Sequence, residues 1–196
     1  MTTQHADGTV TDRAPTGRAP LLLTLTLAEP AQGLFQTLRE RHFPPERNVV
    51  PAHVSLFHAL PGEERELIQK RLDRLVKNGL AVRPPIRVEP PYPMGRGVGF
   101  RLHSPALARL RAALAEDWAP WLTPQDRQPF RPHVTVQNKV EPAVARALLE
   151  RLSAGFVPFE TEGVAIRLWR YLGGPWEALW TLELAEREGW AAVNVC

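Results

Sequence analysis

The first clear periodicity in the chain is an alternation of leucine with other residues between Leu21 and Leu27. Every second residue is leucine and the two threonines lie opposite, which is the two-residue period of a β-strand. The preceding segment, Met1–Pro20, is rich in Thr, Gly, Pro, Asp and Arg and has almost no large apolar residue. Burial of so few apolar groups cannot offset the entropy cost of ordering. We therefore predict a flexible N-terminal tail over residues 1–19 and a folded domain from residue 20.

Two helices are predicted in the first half of the chain, from residues that end a helix and from the spacing of apolar residues. The first is predicted over Ala31–Phe43 and ends there because Pro44 cannot continue it. The second is predicted over Glu63–Asn78, and Gly79 is a natural stop for it. Its apolar residues recur at helical spacing: Ile68, Leu72, Leu75 and Val76. This second helix is therefore expected to pack one face on a core.

Two more helices are predicted in the second half of the chain. Ser104 suits the N-cap of one helix and Pro105 suits its first helical position, ahead of apolar residues at helical spacing. The other helix carries Val144, Leu148 and Leu152 at four-residue intervals. These three residues are expected to form its buried stripe.

Short apolar runs predict the remaining strands: Asn48–Phe57, Ile86–Glu89, Val98–Leu102, Phe130–Val136, Gly163–Trp169 and Ala178–Leu184. The stretch Pro90–Gly97 is rich in turn-forming residues and predicts a connection between two halves. Each half then runs strand, helix, strand, helix, strand. This order indicates an internal duplication within one domain over residues 20–185, followed by a C-terminal tail at 186–196.

Composition and charge narrow the class of protein. A chain of 196 residues with 44% hydrophobic and 23% charged residues is typical of one soluble globular unit. Its net charge of +3 is too small for a long nucleic-acid duplex footprint, although it is compatible with binding one or a few phosphates. The only cysteine is Cys196, and no apolar run approaches the length of a membrane span. A cytoplasmic monomer without membrane contact is expected.

Two tetrads share one pattern: a histidine, an apolar residue, a hydroxyl residue and another apolar residue. They are His53-Val54-Ser55-Leu56 and, 80 positions later, His133-Val134-Thr135-Val136. Composition alone predicts only about 0.09 such tetrads in this chain. Residues two apart share a face of a strand, so each tetrad presents an imidazole and a hydroxyl together while its apolar residues face a core.

Other chemistries fit these residues less well. Neither tetrad has an HExxH-like or CxxC companion, so a metal site is disfavoured. A GxSxG turn is absent and Ser55 shares a strand with its supposed base, so a serine nucleophile is disfavoured too. His58 is five positions after His53 and is expected on the opposite face of an extended strand. His5, His42 and His103 lack the tetrad pattern.

Two facing histidines suit a reaction that removes one proton while it delivers another. One imidazole accepts a proton from an attacking group, and the other, as imidazolium, protonates a leaving oxygen. Phosphodiester cleavage is such a reaction. The hydroxyls of Ser55 and Thr135 would donate hydrogen bonds to the non-bridging phosphate oxygens. Such a site requires no metal and no cofactor.

At these residues the chain resembles the two-histidine (2H) phosphoesterase superfamily, and more narrowly the bacterial 2′-5′ RNA ligase-like proteins. Tyr171–Trp176 also looks like the segment before the last strand in this group. The resemblance implies an α+β fold, bilobal and pseudo-twofold-symmetric, with antiparallel sheets that line a central groove. It implies metal-independent action on a 2′,3′-cyclic phosphate or a 2′-5′ linkage, in an RNA end or a small cyclic nucleotide. The implied acid–base pair is His53 and His133, and the implied phosphate ligands are Ser55 and Thr135.

The chain departs from the family pattern at two places. Ser55 stands where threonine is commoner, and Gln137-Asn138-Lys139 follows the second tetrad where related RNA-processing members often have an arginine. Three functions stay open. The preferred one is hydrolysis of a cyclic phosphate, the second is RNA end-joining by the reverse reaction, and the third is a non-catalytic nucleotide- or RNA-binding module.

Side chains outside the tetrads are expected to be structural. Tyr171 and Trp176 are candidates for stacking on a base, but simple packing of the last strands is preferred for the tryptophans there. Those tryptophans are Trp169, Trp176 and Trp180. Arg96, Arg101 and Arg131 are candidates for a phosphate contact, but a solvated surface position is preferred for each.

Overall fold

Strands and helices follow one repeated order along the chain. The computed structural model describes residues 18–186. The strands are β1 (Leu21–Leu27), β2 (Val54–Leu60), β3 (Pro85–Pro93), β4 (Val98–His103), β5 (His133–Gln137), β6 (Phe159–Tyr171) and β7 (Trp176–Glu183). The helices are α1 (Ala31–His42), α2 (Arg65–Lys77), α3 (Pro105–Asp117) and α4 (Pro142–Ser153). The predicted order of strand, helix, strand, helix, strand therefore occurs twice, and β7 is an addition to the second half.

Within residues 18–186 the seven strands form one antiparallel sheet in the order β1-β2-β5-β4-β3-β6-β7. A further pairing of β1 with β6 closes the sheet into a barrel-like ring. Exchanging β1, β2 and β3 with β4, β5 and β6 preserves every pairing in the ring. The β1–β2 and β3–β4 pairs become β4–β5 and β6–β1, while β2–β5 and β3–β6 map onto themselves. This pattern confirms the predicted pseudo-twofold α+β architecture.

β1 is paired along both edges, with β2 and with β6, and side chains on both of its faces are buried. Leu25 is the Cα partner of Val54 on β2 and of Ile166 on β6. The alternating leucines of β1 belong to the main core, as their spacing predicts. On the other face Leu22 packs with Trp169 in a separate small apolar cluster. The strand predicted from the clearest periodicity is thus central to the sheet.

The helix signals in the sequence are largely confirmed. Gly79 follows α2 with a φ of 66°, a left-handed conformation that glycine adopts without steric cost. The Ser104 hydroxyl accepts a hydrogen bond from the backbone N–H of Leu107 at 3.2 Å, which makes it the N-cap of α3. Two residues predicted on the buried face of a helix are instead exposed, so the prediction for them is wrong: Val76 is 48% exposed and Val144 is 52% exposed.

Two predicted strand boundaries are also wrong. The strand predicted over Asn48–Phe57 begins only at Val54. The predicted connection Pro90–Gly97 is mostly strand, since β3 continues to Pro93 and a tight turn follows. A register shift in β3 marks a bulge, a position at which a strand tolerates proline.

The main apolar core lies between the sheet and the helices, and each helix contributes to it. Residues 1–17 and 187–196 lie outside the described residues, and with them most of the two predicted tails, 1–19 and 186–196. The domain limits at 20 and 185 stay a prediction. In the described part of the chain no helix is long and apolar enough to cross a bilayer.

Candidate active site

The two tetrads lie side by side where β2 meets β5. Val54 and Val134 are antiparallel Cα partners, and both are fully buried. In this register each histidine lies opposite the hydroxyl residue of the other tetrad, on the sheet face away from the buried valines. All four polar side chains are partly exposed: His53, Ser55, His133 and Thr135. The structure therefore brings the four predicted site residues together on one face, which we call the groove face.

Both imidazole rings are held by the backbone in the same way. Nδ1 of His53 is 2.6 Å from the carbonyl oxygen of Pro51, and Nδ1 of His133 is 2.9 Å from that of Arg131. A carbonyl oxygen only accepts, so each Nδ1 carries the hydrogen and donates it. Neither Nε2 has a hydrogen-bond partner among the described residues. Both histidines thus present an unoccupied Nε2 on the same face of the sheet.

The surroundings of His53 keep its ring neutral. Burial, helped by the positive charges of Arg39, His133 and His58 and opposed by the bond to the Pro51 carbonyl, lowers the pKa of His53 to about 4. At neutral pH the Nε2 of His53 therefore has a free lone pair. Chemically, this ring is suited to accept a proton.

Helix α1 fills the gap where β2 and β5 separate. The two strands share only the Val54–Val134 register pair. On the N-terminal side of β2, Gln36 Oε1 accepts from the backbone N–H of Ala52 at 2.9 Å, and Gln32 Nε2 donates to the Ala52 carbonyl at 2.8 Å. These side chains take the place of a neighbouring strand. This explains why the segment predicted as the start of β2 is not a strand.

A buried arginine on α1 reaches across to the second tetrad. Arg39 is 4% exposed and donates to the carbonyl oxygens of Thr135 at 2.9 Å and Val50 at 3.1 Å, and to Asn48 Oδ1 at 3.0 Å. Its guanidinium also lies 4.2 Å from the Phe43 ring centroid. Burial lowers the pKa of Arg39 to about 10, so it remains charged at neutral pH. Among the described residues no carboxylate pairs with it.

A second buried arginine makes the reciprocal connection. Arg111 on α3 donates to the carbonyl oxygen of Leu56 in the first tetrad at 3.3 Å and to the carbonyl of Asp126. Its guanidinium lies 4.2 Å from the Phe57 ring centroid. Each half therefore sends one arginine from its first helix to the tetrad strand of the other half. We call this pair the crossed arginines.

The two tetrad hydroxyls differ in their neighbours. Ser55 Oγ has no hydrogen-bond partner among the described residues, while Thr135 Oγ1 lies 3.6 Å from Met94 Sδ. Gly99 is the Cα partner of Thr135. A Cβ at Gly99 would collide with Met94 Sδ and come within 3.1 Å of the Val134 carbonyl oxygen. Glycine at this position is therefore what lets Met94 lie beside Thr135.

An aromatic and basic wall adjoins His133. The Tyr92 ring is perpendicular to the His133 ring, with centroids 6.3 Å apart, and the Arg101 guanidinium lies 4.8 Å from the Tyr92 centroid. An open depression of about 560 Å³ beside this wall is lined in part by Arg101 and Arg131. Both arginines are exposed, as expected, and both are close to the tetrads.

The remaining candidate side chains serve the fold. Arg96 pairs with Glu141 at 2.8 Å on the surface. Trp169 is buried, and its indole N–H donates to Thr24 at 2.9 Å, which confirms the packing role predicted for it. The Tyr171 and Trp176 rings pack on each other with centroids 4.9 Å apart. Base stacking by this pair stays a hypothesis.

The expected placement of His58 is wrong. Thr24 and Leu23 are neighbours on β1, yet their partners on β2 are Ser55 and Phe57, so β2 carries one extra residue between them. Such a bulge resets the alternation of side chains. As a result His58 lies on the groove face with Ser55, and it is exposed. A sequence pattern of period two does not reveal an inserted residue.

Several side chains that shape the site were not predicted. Gln32, Gln36 and Arg39 follow the i, i+4, i+7 spacing of one helix face, which was a readable signal of a polar contact surface on α1. Arg111 and Tyr92 gave no comparable signal. Within residues 18–186 no group of three or more His, Cys, Asp or Glu side chains is placed to hold a metal ion.

Comparison with protein families gives one match over most of the chain. A family model described as the 2′-5′ RNA ligase superfamily matches residues 27–175, a span that contains both tetrads. Among curated proteins none matches the sequence significantly.

Solved structures share the fold at low sequence identity. The protein TT0787 of Thermus thermophilus has a TM-score of 0.54 and 18% identity, covering 84% of this chain and 97% of that one. E. coli LigT complexed with phosphate has a TM-score of 0.50 and 19% identity, covering 86% and 98%. E. coli LigT complexed with NADP+ has a TM-score of 0.50 and 18% identity, covering 85% and 98%.

Proposed function

Because the chain belongs to the 2′-5′ RNA ligase superfamily, we propose that it is a phosphodiesterase that hydrolyses a 2′,3′-cyclic phosphate at an RNA end or in a small nucleotide. Membership of this superfamily agrees with the resemblance to 2H phosphoesterases and supports a phosphoesterase role in RNA processing. The observation that carries the specific proposal is the pair of equivalent imidazoles. Each has Nδ1 tied to a backbone carbonyl and Nε2 unoccupied on the groove face.

The proposed reaction uses both rings at once. A water molecule attacks phosphorus, a new P–O bond forms, and the bond from phosphorus to one ribose oxygen breaks. His53 takes the proton of the attacking water at Nε2, since its ring is neutral. His133, as imidazolium, gives its Nε2 proton to the leaving ribose oxygen. The products are a phosphomonoester and a free ribose hydroxyl, and the two rings exchange protonation states.

Neutral donors and a buried charge would stabilise the phosphate. Ser55 and Thr135 donate hydrogen bonds to the non-bridging oxygens, where negative charge builds up in the transition state. Arg39 adds a fixed positive charge on the side of the sheet away from the groove, close enough to lower the pKa of His53. Charge in a water-poor interior acts more strongly than the same charge in solvent. These groups supply the stabilisation, so the proposed reaction is metal-independent.

The solved structures of similar fold support the ligand class. E. coli LigT has been crystallised with phosphate and with NADP+, a ligand that contains phosphate and nucleotide groups. A ligand of the same kind fits a groove lined here by imidazoles, hydroxyls and the exposed Arg101 and Arg131.

The experiment is a cyclic-phosphate hydrolysis assay in the presence of a chelator. The full chain should convert an oligonucleotide with a 2′,3′-cyclic phosphate end to one with a monophosphate end. His53→Ala and His133→Ala should each lower the rate by at least about 10²-fold. His42→Ala, which changes a half-buried histidine at the end of α1, is the matched control and should keep the rate. A wild-type rate in either tetrad variant, or loss of activity with chelator, would contradict the proposal.

The same assay separates the alternatives. RNA end-joining would replace water by a 5′-hydroxyl, and it would be recognised by a 2′-5′-linked product at modest RNA concentration. A non-catalytic binding module would bind a cyclic nucleotide tightly and yield no product after long incubation. In dilute solution water outcompetes a second RNA end, so we place hydrolysis first. The monomeric state and the cytoplasmic location stay predictions.

A further inference from the structure

A buried carboxylate lies beside the proposed site and is fully hydrogen-bonded. Asp126 is 2% exposed and accepts from the backbone N–H of His58 at 2.9 Å, the backbone N–H of Ala59 at 3.1 Å and the Thr123 hydroxyl at 3.2 Å. It also lies 3.0 Å from Nδ1 of His58. Burial alone would raise the pKa of Asp126, but the hydrogen bonds from His58 and Ala59 hold it below its usual range. The carboxylate is therefore ionised at neutral pH.

The bond to the His58 ring is not needed to bury Asp126. Two backbone N–H groups and the Thr123 hydroxyl already satisfy the carboxylate. The bond to Nδ1 instead fixes the ring, since an ionised carboxylate only accepts and Nδ1 must carry the hydrogen. The side chain of His58 is 40% exposed, and its Nε2 has no partner within residues 18–186. His58 is thus presented in the same manner as His53 and His133.

The position of the His58 ring on the sheet suits the binding of a second phosphate group, next to the one proposed for the tetrads. The bulge in β2 puts His58 on the groove face, three residues after Ser55. At about 3.3 Å per residue, the Cα atoms of Ser55 and His58 are at most about 10 Å apart. The charged groups around the ring are Asp126 behind it, Arg111 of α3 bonded to the Asp126 carbonyl, and His53 on its own strand. The facing segment of β1 contributes only leucine.

We infer that His58, oriented by Asp126, binds a second phosphate of the substrate, the phosphodiester on the 5′ side of the nucleotide that carries the cyclic phosphate. The imidazolium form donates Nε2–H to a phosphate oxygen, with Asp126 as its counter-charge. This inference rests on the proposed function, and it selects an RNA strand end over a nucleoside cyclic phosphate as the substrate class. A nucleoside 2′,3′-cyclic phosphate lacks that second phosphate.

The test compares a dinucleotide with a mononucleotide. Binding of cytidylyl-(3′→5′)-cytidine 3′-phosphate and of cytidine 3′-phosphate is measured on the full chain, together with kcat/KM for the corresponding 2′,3′-cyclic phosphates. His58→Gln should weaken dinucleotide binding about tenfold and leave mononucleotide binding unchanged. His42→Gln, at the end of α1, is the matched histidine control.

A second variant keeps the test informative. Asp126→Asn retains the size of the side chain and removes the counter-charge, so it should reduce the dinucleotide's advantage as His58→Gln does. Equal effects of His58→Gln on both ligands, or no effect on either, would overturn the inference. So would equal affinity of the wild-type protein for both ligands. If the dinucleotide preference depends on His58 but neither cyclic phosphate is hydrolysed, the proposed function fails and the subsite stands.

Discussion

The guanidinium of Arg39 donates a hydrogen bond to the carbonyl oxygen of Thr135 at 2.9 Å. A helix of the first half therefore holds a tetrad strand of the second half. The same side chain bonds Val50, which stands just before Pro51, the residue whose carbonyl orients His53. One buried arginine thus fixes the backbone on both sides of the groove.

Loss of the Arg39 charge should change the pH dependence of catalysis. The charge lowers the pKa of His53, so Arg39→Gln should raise that pKa. The acid limb of the pH–rate profile reports the base in its neutral form, and its midpoint, near pH 4 in the wild-type protein, should move to higher pH. The pH dependence of kcat/KM measures this shift.

Arg39→Lys is the control for the loss of charge. Lysine keeps the positive charge but cannot reproduce three hydrogen bonds from one planar group. The acid limb of the Arg39→Lys variant should therefore stay near that of the wild-type protein. Its kcat should fall by roughly tenfold, because the backbone that Arg39 holds at Thr135 and Val50 would shift. Identical pH profiles for the two variants would show that Arg39 acts only on the shape of the site.

Arg111 should matter for stability. Arg111→Gln removes donors from the Leu56 and Asp126 carbonyls inside the protein. Buried carbonyls without partners cost about 1–3 kcal/mol each, so the free energy of unfolding should fall by about 2–6 kcal/mol. Chemical denaturation measures the loss. Arg109→Gln, on the exposed side of the same helix, should change the free energy of unfolding by less than about 0.5 kcal/mol.

The tetrad hydroxyls should affect rate without affecting stability. Ser55→Ala removes a hydroxyl that bonds to no other described residue, and Thr135→Val replaces one by a methyl group of similar size. Each should lower kcat by about 10²-fold, the usual cost of one transition-state donor. Ser55→Thr should keep most of the activity. Thermal melts run in parallel should be unchanged, and a lowered melting temperature would assign these residues a structural role instead.

Gly99 should be sensitive to a single methyl group. Gly99→Ala places a Cβ against Met94 Sδ, and Met94 is already in contact with the Thr135 hydroxyl. Displacing the methionine toward Thr135 should lower kcat by roughly tenfold and the stability by about 1–3 kcal/mol. Met94→Ala in the same chain makes room for the new methyl group. A double-mutant cycle should show that the second substitution restores much of both losses.

The sequence carried enough local information to predict the repeated order of elements and the face of each tetrad. Alternation in β1, the Ser104 cap and the Gly79 stop depend on interactions between residues close in the chain. The four tetrad residues share a face because residues two apart on a strand do so, and this holds for both strands independently.

Features that depend on distant partners were not predictable in the same way. The start of β2 is set by Gln32 and Gln36, which bond the backbone of Ala52 from a helix. The face of His58 is set by a bulge that only the pairing with β1 reveals. Arg111 resembles an ordinary surface residue in sequence, and the burial of both Arg39 and Arg111 follows from the way the two halves meet.

The crossed arginines connect the two halves in the way that a twofold axis connects the subunits of a dimer. Each half, taken alone, would leave its arginine without the carbonyl acceptor on the other half, and would leave some of its strands without a neighbour. Two identical copies related by a twofold axis would satisfy each other, because the residue that reaches out from one copy is received by the other. The ring therefore has the form of a symmetric homodimer fused into one polypeptide.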